Sequence, residues 1–309
     1  MAAVSIIMPI YNAQASVGRM VDSILAQSFT DWELIAVNDG STDGSGDILD
    51  DYAVKDPRIK VIHRTNGGVA SARQVGIDNA TGTYTIHADS DDWIEPNMLL
   101  DMVETAERVH ADIVIADFFV DNGDKSTISI QKPENLEVQS VLKGLYNNKL
   151  FGGLCHKLIR RSIYDNSQIH FIEGINYCED LLILTKMLLW CNPKISYLPR
   201  AYYHYICNDA SLTRQVSPKG LLSMKSFHQE ATKVLTEVKG FENVGNDFAL
   251  NEFIVVFTNR LYGSKSQLQK EIQMIKPLIL QKGYGIRWKL GFKCIEFGLI
   301  GLAQRLIRF

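Results

Sequence analysis

The sequence predicts an α/β fold: a doubly wound, mostly parallel sheet followed by a mainly helical C-terminal extension. Three observations carry this. Short β-branched runs alternate with amphipathic segments through the first 117 residues, the rhythm then breaks, and the last third reads as helices joined by short Gly or Pro breaks. With 309 residues, 46% of them hydrophobic, the chain has apolar material for a full core without staples.

Val4–Ile10, Trp32–Asn38, Ile59–His63, Tyr84–Ala88 and Asp112–Ala116 read as strands. Between the first two, Val17, Met20, Val21, Ile24 and Leu25 recur at helical spacing behind Ser16, a candidate cap. Pro96 suits the first turn of a helix running to about His110. Such alternation sets ligands beyond the carboxyl ends of the strands, where the strand order reverses. After Asp117 comes a short polar stretch in which Ile128 and Ile130 alternate, then a helix from about Glu134 to Asn148. Glu179 to Trp190 reads as a further helix, Lys194–Leu198 and Ala201–Cys207 as strands, and most of Pro218 to Phe309 as helices.

Composition narrows the function. A formal charge of −3, with both signs mixed along the chain, leaves no basic stripe for nucleic acid. Five cysteines without a C-x-x-C pair argue against a disulfide framework or a zinc knuckle, so reduced thiols are expected. No leader is visible, and no apolar run reaches the ~20 residues of a spanning helix, which predicts a cytoplasmic chain, soluble or peripheral. The turn after the first strand is Pro9-Ile10-Tyr11-Asn12, where a nicotinamide dehydrogenase would need G-x-G-x-x-G.

The sharpest chemical signal is Asp89-Ser90-Asp91-Asp92-Trp93, directly after the fourth strand. Carboxylates this close raise one another's pKa unless a cation compensates, and Mg²⁺ or Mn²⁺ completed by phosphate oxygens fits that need. A solvated acidic turn capping the helix near Pro96 is the plainer reading of the triplet alone; its place at the carboxyl edge of a central strand favours the metal. Three other segments end at that edge. Tyr11 offers a ring for stacking on a base, or for packing. Asp39, in Asn38-Asp39-Gly40-Ser41-Thr42-Asp43, offers an acceptor for an imide proton, or forms a turn with a helix cap. Asn66 to Arg73 brings small residues, Gly68 among them, into a helix presenting one Arg, suited to an anion or simply to a tight turn.

Together "VSIIMPIYN", "VNDGSTDGS", "NGGVASARQVGIDNATGTY" and "HADSDDW" resemble, in order, the blocks of the inverting family-two glycosyltransferases of the A-type fold, over roughly residues 4 to 93. The resemblance implies a metal-dependent enzyme that moves one sugar from a UDP-sugar to a hydroxyl of a growing glycan or lipid-linked oligosaccharide. By position it implies that Pro9, Tyr11 and Asp39 hold the uracil, with Asn12, Gly68 and Ser90 beside the nucleotide. Arg73 then serves the base or phosphate side, Asp89 the ribose and Asp91 the metal. Asn38 departs from the family, which often shows a second Asp there. Tyr177-Cys178-Glu179-Asp180 resembles the family's Glu-Asp pair, with Asp180 as general base and Glu179 beside it; read alone, it is an acidic first helical turn.

Weaker blocks are Cys155 to Arg161, where Lys157 either contacts phosphate or packs its stem, and Tyr203-His204-Tyr205 followed by Ser211 to Arg214. His204 is either a third metal ligand or a satisfied core histidine, and Trp93 falls on the acceptor or phosphate side. The implied organisation is a catalytic domain over 1–215, with a nucleotide-binding half (1–117) and an acceptor-binding half (118–215), and a helical region over 216–309. Processive synthases resemble this domain too, but their membrane spans and Gln-x-x-Arg-Trp block are absent, which favours single additions. A non-catalytic nucleotide-sugar-binding or scaffold protein would keep Tyr11, Asp39 and Asp91 without a base, and Asp180 counts against it.

The tail has its own pattern. Trp288, Phe292, Ile295, Leu299, Leu302 and Leu306 fall on one helical face, which Arg287, Lys289, Lys293, Arg305 and Arg308 avoid. That predicts either peripheral association with the inner leaflet of a membrane or a closing helix packed on the catalytic domain.

Overall fold

The computed structural model describes residues 2–207, 217–281 and 284–307. The chain divides into two compact units, Met1–Asp209 and Ala210–Phe309. The 215/216 boundary read from the sequence, the Ser211 to Arg214 block and Arg308 lie outside the described residues.

The first unit begins with β1 (Val4–Ile10), α1 (Val17–Leu25), β2 (Trp32–Asn38), α2 (Ser45–Lys55), β3 (Ile59–His63), α3 (Val69–Asp78) and β4 (Tyr84–His87). All four strands are parallel, in the spatial order β3-β2-β1-β4. β2 is buried along its whole length, as a central parallel strand covered on both faces must be. α1 buries Val17, Met20, Val21 and Ile24, each contributing about 1.5–3 kcal/mol of apolar burial. Ser16 occupies the cap position but makes no capping bond.

The remainder of the sheet is mixed. β5 (Trp93–Ile94), α4 (Met98–Val109), β6 (Ile113–Asn122), β7 (Lys125–Ser129), α5 (Val138–Tyr146), β8 (Lys157–Arg160), α6 (Glu179–Cys191) and β9 (Ile195–Ile206) complete the unit. β8 lies antiparallel between β4 and β6, and β9 runs parallel to β6. The sequence-based reading of a mostly parallel sheet therefore holds for the first four strands and gives way to mixed pairing beyond them. α4 starts two residues after Pro96, because Trp93–Ile94 pairs with β9 and Gln27 satisfies the helix start, accepting from Leu99 N at 3.1 Å. The two strands expected at 194–198 and 201–207 are one. The register jumps from Ala116↔Leu198 to Asp117↔Ala201, so Pro199, which has no N–H to donate, sits at a bulge.

The second unit contains α7 (Pro218–Leu235), α8 (Val244–Thr258), α9 (Lys265–Gln281), α10 (Ile286–Glu296) and α11 (Ile300–Leu306). Pro277 lies inside α9 rather than between helices. The tail expected as one amphipathic helix is two, divided at Gly298, whose φ of +72° is open to glycine at little cost. Phe292 and Ile295 are buried with Phe253, Phe257, Leu268 and Ile272, so this part of the face expected for a membrane is used in packing. Among the described residues no helix is long and apolar enough to cross a membrane.

Candidate active site

Three adjacent parallel strands deliver the first residues of the site. β2, β1 and β4 lie side by side in register, so the segments after Ile10, Asn38 and His87 leave the same edge. Tyr11, 54% exposed, follows β1, and Pro9 is half-buried within it. The loops beyond β1 and β2 are stitched together: Asn12 Oδ1 accepts from Thr42 N at 2.8 Å, and Asn12 N donates to Ser41 Oγ at 3.0 Å. Asn38 suits its place for a reason an Asp would not meet. Its Oδ1 accepts from Ser41 N at 3.0 Å while its Nδ2 lies 3.0 Å from His63 Nδ1, an arrangement that uses an amide's donor and acceptor together.

Asp39 joins the second loop to the third. Its buried carboxylate accepts from Gly67 N at 3.0 Å and Gly68 N at 2.7 Å, with Arg64 Nε at 3.2 Å. Gly68 has φ +88°, and a Cβ there would stand 2.5 Å from Asn176 Nδ2. Asn176 Oδ1 accepts from Ala70 N at 3.1 Å, capping α3 from a distant part of the chain. One N–H of this helix start is thus already satisfied within the protein.

Arg73 is buried at the centre of the site. Its guanidinium donates to Asp89 Oδ1 at 2.8 Å, approaches His87 Nδ1 at 3.1 Å, and places Nε 3.3 Å from Asp180 Oδ1 and 3.5 Å from Glu179 Oε1. Burial works against its charge, but Asp180, Asp89 and Glu179 outweigh that and hold its pKa above the ordinary value. Burial and the adjacent Arg73 push His87 well down, so its Nδ1 is an acceptor for the guanidinium N–H.

The three aspartates after β4 separate. Asp92 turns inward: Tyr203 Oη donates to its Oδ2 at 2.6 Å and Ile206 N to its Oδ1 at 2.8 Å, and burial followed by Asp89 pushes its pKa up. Asp89 is half-buried, and its N–H donates to Tyr203 Oη at 3.0 Å. Ser90 is half-buried beside it. Asp91 is exposed at the surface, yet enough protein surrounds its carboxyl that desolvation, and then Asp89, raise its pKa; Arg19 donates to its backbone carbonyl. Of the triplet, Asp91 is the carboxylate open to a cation.

His204 is placed elsewhere. Its Nδ1 lies 2.9 Å from Asp121 Oδ2, its Nε2 3.2 Å from Glu95 Oε1, and the ring is stacked between Trp93 (3.5 Å) and Phe119 (4.3 Å). With both nitrogens engaged it is a satisfied core histidine, which corrects its assignment as a metal ligand. The stack also explains Trp93, which pairs opposite His204 in the sheet. Among the described residues no three His, Cys, Asp or Glu side chains converge as a complete metal site.

Lys157 is likewise corrected. It is buried, and its Nζ donates to Phe151 O at 2.8 Å and Gly153 O at 2.6 Å and lies 2.8 Å from His156 Nε2. Burial pushes its pKa down to about 7. It clamps the 151–154 loop, and Leu154 N of that loop donates to Asp180 Oδ2 at 3.2 Å. Asp180 and Glu179 open α6 behind Cys178, a non-glycine residue in the left-handed region at φ +55°. Burial raises both carboxyls; Arg73 opposes it. Asp180 Oδ1 and Arg73 Nε are buried without a hydrogen-bond partner. The sequence assigns no role to His87, Asn176 or Tyr203, although His87 and Tyr203 fall within blocks it marks, because each reads locally as an ordinary strand or loop residue.

Comparison with known proteins agrees with this layout. Residues 5–167 match the model of "Glycosyl transferase family 2". The chain is 38% identical over 186 residues to the glycosyltransferase EpsJ of Bacillus subtilis, covering 57% of this chain and 53% of EpsJ, so it spans about half that relative's length. To EpsH of the same organism, also named as a glycosyltransferase, it is 30% identical over 263 residues, covering 83% of this chain and 75% of EpsH. The solved structure of S. aureus TarS 1-349 in complex with UDP-GlcNAc superposes with a TM-score of 0.70 at 23% identity, covering 99% of this chain and 90% of that one. The strand order, the aspartates at the sheet edge and these matches converge: the chain belongs to glycosyl transferase family 2 and has the A-type glycosyltransferase fold.

Proposed function

We propose that the chain transfers one sugar from a UDP-sugar to a hydroxyl of a growing glycan or lipid-linked oligosaccharide, with inversion at the anomeric carbon. The carrying observation is that Asp180 is fixed through Oδ2 by Leu154 N while its buried Oδ1 has no hydrogen-bond partner. Its 3.3 Å ion pair with Arg73 Nε is not a hydrogen bond, so this buried oxygen keeps a lone pair for one, and a hydroxyl is a fitting donor. In this reading the acceptor hydroxyl gives its proton to Asp180 Oδ1 as its oxygen bonds to the anomeric carbon. The bond from that carbon to the diphosphate oxygen breaks, and its electron pair leaves with UDP.

On the donor side, the exposed Tyr11 ring stacks on the uracil, and Asp39, with lone pairs beyond those used by Gly67 and Gly68, accepts the imide proton. The fold shared with a protein solved with UDP-GlcNAc supports a nucleotide sugar as donor. Asp91, with Asp89 beside it, suits Mg²⁺ or Mn²⁺, because a hard cation shared with diphosphate oxygens needs only one or two protein carboxylates. When bound, the cation would neutralise charge on the leaving diphosphate. We place the enzyme in the cytoplasm, peripheral to the inner face of the membrane. The test is nucleoside diphosphate release over a panel of UDP-sugars with Mg²⁺ or Mn²⁺ and glycan acceptors. Release that depends on one donor supports the reading; binding of UDP without turnover of any donor, with acceptor or with water, overturns it.

A further inference from the structure

α10 is amphipathic in a sense its packing does not exhaust. Phe292 and Ile295 point into the core of the second unit, and Trp288 stacks on Tyr284 at 5.4 Å. At 100° per residue, Ile286, Leu290, Lys293 and Phe297 form a stripe on the opposite side of the helix. Ile286 is 78% exposed, Leu290 49% and Phe297 76%. Arg287 and Lys289 flank the stripe and are exposed. The helix has one acid, Glu296, and it is turned to Lys276 at 3.0 Å, so among the described residues no carboxylate is paired with the basic residues along the stripe. α11 repeats the composition: it buries Ala303 and Ile307 and exposes Leu299, Leu302 and Arg305.

We propose that this outward face of α10 and α11 docks on an anionic lipid surface. Single exposed apolar residues are ordinary, but large apolar side chains alternating with unopposed cations along a helix match the boundary between acyl chains and negative headgroups. Ile286, Leu290 and Phe297 enter the boundary, and Arg287, Lys289, Lys293 and Arg305 meet the headgroups. A protein partner of like composition would meet only repulsion from those cations. This names the face for the peripheral placement proposed above and rests on that placement; the transfer reaction does not depend on it.

The test is flotation of the full chain with vesicles of phosphatidylcholine, with and without phosphatidylglycerol. Binding is expected with phosphatidylglycerol only, and weaker at 0.5 M salt, where the screening length falls to several ångströms. Two independent variants, Leu290→Ser with Phe297→Ser and Lys289→Gln with Lys293→Gln, should each weaken it about tenfold or more. Nucleoside diphosphate release in solution should not change, because these side chains are exposed and outside the site. No binding by the wild-type chain, or equal binding by both variants, overturns the proposal. A dimer in sedimentation that the serine pair dissociates, with no vesicle binding, assigns the face to a second copy instead. Failed release with retained vesicle binding would count against the catalytic reading alone.

Discussion

Arg73 Nε lies 3.3 Å from Asp180 Oδ1 while the same guanidinium donates to Asp89 Oδ1 at 2.8 Å. One buried cation thus ties Asp89, after β4, to Asp180, the proposed base at the start of α6, two segments that meet only through folding. Asp180, Asp89 and Glu179 keep Arg73 charged, and Arg73 in turn opposes the rise that burial imposes on Asp180 and Glu179. The proposed base and the proposed nucleotide site are electrostatically one unit.

Asp180→Asn removes the proton acceptor but keeps the side chain's size and an oxygen for Leu154 N. Turnover should fall by roughly 10²–10⁴-fold, the usual worth of a positioned base. UDP affinity by calorimetry should stay within a few-fold, and a loss of UDP binding would reassign the residue.

Burial raises the Asp180 and Glu179 carboxyls, and Arg73 lowers them. A base works when deprotonated, so kcat/KM should rise with pH along a limb above the ordinary carboxylate range. Arg73→Met removes the lowering charge, so the limb should move to higher pH, and Arg73→Lys should move it less. Stability should drop by about 3–5 kcal/mol in the Met variant, because buried carboxylates lose their counterion.

Asp91→Ala should remove the metal dependence of donor binding. The check is UDP-sugar affinity with and without Mn²⁺. Equal enhancement by Mn²⁺ in variant and wild type would take Asp91 out of the metal set, whereas His204→Asn should leave the enhancement in place, since its ring is held by Asp121 and Glu95.

Lys157 has a folded pKa of about 7, below its unfolded value near 10.5. Between these values the unfolded chain binds the extra proton, so this residue makes stability rise with pH above 7. Lys157→Met should flatten that rise between pH 7 and 9 in paired urea titrations. It should also lower kcat more than UDP affinity, because the freed 151–154 loop no longer steadies Asp180.

Glu33 accepts from Ser5 Oγ, Thr81 N, Thr81 Oγ1 and Lys60 Nζ. Burial opposes its charge, but these donors, Lys60 foremost, bring its pKa down to about 2 from 4.5. The contribution is complete above pH 4.5 and is lost as pH falls towards 2. Glu33→Ala should cost about 2–3 kcal/mol at pH 7 by leaving buried donors unpaired, and less near pH 3. A variant as stable as wild type at pH 7 would refute this.

The sequence alone determined the strand–helix alternation of the first 117 residues and that the segments carrying Tyr11, Asp39, Arg73 and Asp91 follow strands at one sheet edge. Period-2 and period-3.6 patterns and parallel pairing are local consequences of side-chain type, so they were legible. What only the tertiary structure decided is which of these residues meet and which turn away. Asp91 opens outward while Asp92 turns in to Tyr203, His204 is consumed by Asp121 and Glu95, and Lys157 clamps a loop. The apolar face of the tail was legible, with packing as one of its two readings, but the choice between them and the exposed apolar residues on the opposite face were not. The reason is common to all of these. Burial and the partner of a charged group are set by long-range contacts, such as Asn176 with Ala70 or Arg73 with Asp180, and no local pattern encodes their geometry.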